Sequence, residues 1–86
     1  MAGKRMGRPP APWVRKIEFL PIEDSQYLDA YDLSSQLQVP VGCLKSFFRK
    51  TNVRRKHEIY EDGQTYACFK VKDLKKAARE YLAPWA

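Results

Sequence analysis

Apolar residues recur at helical spacing in three stretches of the chain. Ala30, Leu33 and Leu37 stand at i, i+3 and i+7 and predict a helix over about residues 30–37, with Asp29 as N-cap and Asp32 in the first turn, where the helix dipole favours an anion. Val41, Leu44, Phe47 and Phe48 fall on one side of a second helix over about 41–50, and Lys45, Ser46, Arg49 and Lys50 fall on the other. The linker between them, Gln38-Val39-Pro40, is short, and proline is tolerated where a helix opens because its missing N–H is not needed there. Asn52 tolerates the left-handed backbone that ends a helix. The third pattern is Leu74, Ala77, Ala78, Tyr81 and Leu82, a helix opened by Lys72 or Asp73 and closed by Pro84.

Between the second and third helices, residues 53–60 and 65–71 read as two strands around Glu61-Asp62-Gly63-Gln64, with Asp-Gly as a type I′ turn pair. Near the start, residues 13–22 form an apolar stretch that fits either a short strand or a turn of helix stopped by Pro21. Residues 1–12 hold glycines, prolines and cations and neither bury area nor favour helix. The expected organisation is a flexible basic arm over 1–16 and a small α+β domain over 17–86.

Eighty-six residues support one domain, and 44% hydrophobic with 13% aromatic residues are values of a folding chain. Sixteen Lys and Arg against ten Asp and Glu leave a net charge of +6, which points to an anionic partner such as nucleic acid. The charge is segregated: +5 over residues 1–16, −5 over 17–40, +5 over 41–60 and +1 over 61–86. No apolar run approaches a membrane span and no apolar signal core is present, so a cytoplasmic location in a prokaryotic or phage-infected cell is expected. Cys43 and Cys68 with the single His57 supply no four-ligand zinc pattern, and no metal or cofactor is implied. His57 has no Ser, Cys or second His nearby in sequence, so the chain is read as a non-enzyme. Tyr27, Tyr31, Phe47, Phe48, Tyr66, Phe69 and Tyr81 are read as core. Glu23, Asp24, Asp29 and Asp32 are assigned to capping and solubility.

Residues 41–56 contain Lys45, Arg49, Lys50, Arg54, Arg55 and Lys56 and no acid, a surface that repels itself unless something anionic lies against it. Two short helices, the second basic on its outer face, match the pattern in which a recognition helix enters a major groove. From Leu28 to Leu82, about two thirds of the chain, the order YLDAYDLSSQLQVP, VGCLKSFFRK, EDGQ and KVKDLKKAAREYL resembles the excisionase and MerR-type family of small winged helix-turn-helix proteins. The resemblance implies that Lys45, Ser46, Arg49 and Lys50 lie on the recognition helix and Arg54, Arg55 and Lys56 on the wing. Pro40 stands where the family usually has a hydroxyl N-cap. Gly7-Arg8-Pro9, with Arg5 nearby, resembles the core of an AT-hook, implying a second contact in a narrow minor groove. The implied function is sequence-directed binding of double-stranded DNA, as a recombination accessory factor or small transcription regulator of a phage or mobile element. Its implied partners are DNA, a recombinase and adjacent copies of itself. The alternative is a protein-interaction module that docks an acidic protein through its basic surface; RNA binding would require exposed aromatics on the sheet.

Overall fold

The computed structural model describes residues 10–85, and the expectations for the arm, Arg5 and Arg8 among them, lie outside those residues. The described chain is a small α+β structure. Its elements in order are α1 (Pro12–Glu18), β1 (Tyr27–Asp29), α2 (Ala30–Leu37), α3 (Val41–Thr51), β2 (Lys56–Ile59), β3 (Thr65–Lys70) and α4 (Val71–Leu82), ending in a 3-10 turn over Ala83–Trp85. The strands form one antiparallel sheet in the order β1-β3-β2, with Asp29 and Lys56 both opposite Cys68.

The first two helices form for reasons visible locally. Pro12 at the first position of α1 fits a site that needs no N–H, and Val14 and Ile17, one turn apart, are both buried. The apolar stretch near the start is therefore helical, and residues 12–16 belong to the packed body and not to an arm. In α2 the Asp29 carboxylate accepts from Asp32 N–H at 2.7 Å and the Asp32 carboxylate accepts from Asp29 N–H at 3.4 Å, a reciprocal cap that satisfies two otherwise orphaned donors. Gln38 at φ 57° and Asn52 at φ 52° end α2 and α3 in the left-handed region. Ser34 donates its hydroxyl to Val39 O across the three-residue linker and fixes the angle between those helices.

Two expectations shift at the hairpin and α4. The loop Glu61–Asp62–Gly63 has three residues, with Gly63 N–H donating to Tyr60 O and Gly63 alone at positive φ (79°). A type I′ turn needs two positive φ values, so this is the three-residue loop that ends in a left-handed glycine. Val71, read from sequence as a strand residue, is the first residue of α4, which starts before Lys72. Its N–H and that of Lys72 donate to Gln26 O and Asp24 O at 2.8 and 3.1 Å, supplying the helix start with acceptors that no local side chain provides.

The core lies between the helices and the inner face of the sheet. Val14 and Ile17 of α1, Leu33 and Leu37 of α2, Leu44, Phe47 and Phe48 of α3, Phe69 of β3 and Leu74 and Ala78 of α4 form one cluster. Phe47 makes edge contacts to Trp13 at 5.7 Å and Tyr81 at 5.5 Å, joining α1, α3 and α4.

Leu44, with no exposed surface, sits at the centre of this cluster. Leu44→Ala is expected to cost about 2–5 kcal/mol, against about 0.5–2 kcal/mol for Asp29→Ala, which removes only the cap. Denaturant titrations followed by circular dichroism read both, and a Leu44→Ala midpoint equal to wild type would mean that α3 turns another face to the core.

Candidate functional site

A groove of about 750 Å³ runs between the outer face of α3 and the hairpin. Lys45 and Arg49 reach it from α3, one helical turn apart, and Asn52 follows at the end of the helix. Arg55 and His57 reach it from the chain entering β2 and from β2 itself. Successive strand side chains point to opposite faces, so Lys56 between them faces away, toward Glu58 at 3.3 Å and the Tyr27 ring at 5.5 Å. The Arg55 guanidinium lies 5.4 Å from the centroid of the Phe69 ring, which holds a long flexible cation at the groove wall.

The seven expected site residues of the body thus divide. Lys45, Arg49 and Arg55 converge on one groove. Ser46 and Lys50 line a second groove of about 760 Å³ with Trp13 and Cys43, and Pro10, the first described residue, lines it too. Lys56 is on the opposite face of the sheet, and Arg54 is exposed and lines neither groove.

Cations outnumber acids in the lining of the first groove. Asp29 is the one acidic residue among its described lining, and its carboxylate is taken up in the α2 cap. The ion pairs among the described residues are Lys56–Glu58 and Lys75–Asp24, so Lys45, Arg49 and Arg55 have no acidic partner among those residues. The hairpin tip has the opposite sign, with Glu61 and Asp62 exposed. The end of the groove nearest α3 is therefore where an anion is favoured.

Three tyrosines fix the hairpin against the start of α2. Tyr66 meets Tyr31 edge-on at 5.9 Å and Tyr60 at 4.5 Å. The Tyr60 hydroxyl lies 3.3 Å from Cys68 Sγ; that contact first, and the Asp29 carboxylate second, hold its pKa well above the usual tyrosine range. The Tyr66 hydroxyl donates to Asp62 at 2.8 Å, which raises its own pKa. Both phenols are neutral at physiological pH and add no negative charge beside the groove. Tyr27 and Tyr31, read as core, are exposed: Tyr27 opens a strand too short for alternation to show which way its side chains turn, and Tyr31, in the first turn of α2, lies off the stripe that buries Leu33 and Leu37.

Sequence reasoning missed Asn52, His57, Tyr31 and Tyr66 as lining residues. His57 could have been found from strand alternation once Arg55 was placed; Tyr31, in α2 but off its Ala30–Leu33–Leu37 stripe, could have been found from the helical pattern. Cys43 and Cys68 are both free thiols, and among the described residues no three His, Cys, Asp or Glu side chains gather as a metal site. No described helix is long and apolar enough to cross a membrane. No family model, curated protein or solved structure matches the chain.

The Gln64 N–H first and the Tyr66 hydroxyl second hold the Asp62 carboxyl below its usual value. A lowered folded-state pKa stabilises the loop above the unfolded value and loses that effect as pH falls through the folded one. An NMR titration of the Asp62 carboxyl should therefore give a midpoint below that of an unstructured aspartate, and Tyr66→Phe should raise it. A midpoint unmoved by Tyr66→Phe would show that the hydroxyl contact is not made in solution.

Proposed function

We propose that this chain binds double-stranded DNA in a sequence-directed way, as a small winged helix-turn-helix. In this reading α2 and α3 are the helix-turn-helix, α3 enters the major groove, and β2 with β3 is the wing. The observation that carries it is the convergence of Lys45 and Arg49, from α3, and Arg55, from the segment entering β2, on one groove beside an exposed helix face, with no ion partner among the described residues. Three cations held together in this way are costly for the protein alone and favourable against a phosphate backbone or guanine edges. Arg49 and Lys45 are assigned to base edges, and Arg55 to phosphate.

A second observation concerns the adjoining part of α3, beside the second groove. Gly42 lies in the first turn of α3, exposed, and an added Cβ would meet nothing within 4 Å. Packing gives no reason for glycine here, a residue that favours helix less than alanine does. Close approach of the α3 backbone to DNA supplies one. Lys50 and Ser46 share the second groove with Pro10, the first described residue, and extend the contact along α3. The exposed acids at the hairpin tip keep that tip off the phosphates, so the wing contributes through its base.

The excisionase-like role rests on the family resemblance, and the small footprint is compatible with it. A module of this size covers about 600–1,000 Å² of DNA interface, so strong site selection calls for adjacent copies or a recombinase. Recombination and transcription repression both fit this mode of binding.

Fluorescence anisotropy on a duplex selected from a randomised pool, repeated over a salt series, tests the reading. Arg49→Ala should lose about 1–3 kcal/mol on the selected duplex and less on random DNA, while Lys56→Ala, on the far face, should stay close to wild type. Equal losses for the two variants, or wild-type affinity independent of salt, would refute the interface as drawn.

A further inference from the structure

The face made by α1 and the end of α2 shares no lining residue with either groove of α3. Phe19 stands there 72% exposed, at the C-cap of α1, where the chain turns so that the next residue, Leu20, enters the core. Beside it is an open depression of about 590 Å³ whose lining includes Arg15, Lys16, Leu20, Pro21 and Leu37. A single exposed apolar side chain is ordinary on a protein surface. This one borders a concave apolar floor, and no acidic residue lines it, although residues 17–40 as a whole carry −5. Apolar floor and cationic rim together set the chemistry of what fits.

We propose that this depression docks an acidic amphipathic peptide of a partner protein, with an apolar side chain against Phe19 and Leu37 and carboxylates against Arg15 and Lys16. A nucleic-acid backbone would gain from the two cations but nothing from Leu20, Pro21 and Leu37, whereas a short amphipathic helix uses both. The site would let the protein hold a second protein while its α3 face stays free. It does not depend on the DNA reading, because the two surfaces have no residue in common.

The probe is a fluorescein-labelled helical peptide with Leu at i, i+3, i+4 and i+7 and Glu elsewhere, titrated with the full chain. Controls are a scrambled peptide of the same composition and one with Lys for every Glu. Wild type should bind the first peptide in about the micromolar range and neither control, and Phe19→Glu and the double variant Arg15→Glu/Lys16→Glu should each weaken it about tenfold or more. Lys45→Glu/Arg49→Glu should leave peptide binding unchanged, and random duplex DNA should not displace the peptide. Phe19 is too exposed for its replacement to unfold the chain, and a melting curve checks this. Failure of wild type to bind, equal binding by Phe19→Glu, or displacement by duplex would each overturn the proposal, the last by making the face a nucleic-acid contact.

Discussion

Phe48 of α3 and Phe69 of β3 stack with ring centroids 4.0 Å apart and planes 28° from parallel, and this contact ties the helical half of the molecule to the sheet. The cations of the candidate groove lie on segments that this contact joins. Phe48 fixes the rotation of α3, so Lys45 and Arg49 turn outward while Leu44 and Phe47 turn in. Phe69 fixes β3, carries the Arg55 guanidinium against its ring, and through the β2–β3 register sets His57 opposite Ala67. Loosening the stack would move the two cation-bearing elements relative to one another, and a site built from both depends on their spacing.

The remaining constraints act on the same geometry from the edges. The Asp29–Asp32 cap, the Ser34 bond across the linker and the tyrosine cluster each hold one end of α2, the helix that sits between α3 and the sheet edge. Asp29 serves two ends at once, since it caps α2 and lies in β1 opposite Cys68. A buried carboxylate is tolerated there because it accepts a backbone N–H, and no buried side-chain polar atom among the described residues lacks a partner. Basic groove, acidic hairpin tip and mixed α1–α2 face are thus separate surfaces on one rigid frame.

What could be read from the sequence followed the length and regularity of each pattern. Leu33 and Leu37, and Leu44, Phe47 and Phe48, place α2 and α3 within a residue of their ends because several apolar positions and a cap agree. β1 was not legible: three residues carry no period, and the strand exists because β3 offers a free edge that Tyr27–Asp29 can pair with. The start of α4 moved because its acceptors, Gln26 O and Asp24 O, come from a loop far away in sequence. Lys45, Arg49 and Arg55 were found as a charge cluster; that Lys56 turns away from them follows from strand alternation only after the register is known. The two uses of a cation, in a groove or on a far face, look the same in a count of charges.

The most direct measurement is a backbone amide chemical-shift titration of the full chain with a duplex selected from a random pool. Phosphate and base contacts through the groove should move the amides of residues 42–52, Arg55 and His57, leaving those around Phe19 and Leu37 in place. Shifts confined to the α1–α2 face or the outer face of the sheet, or none at all, would contradict the account.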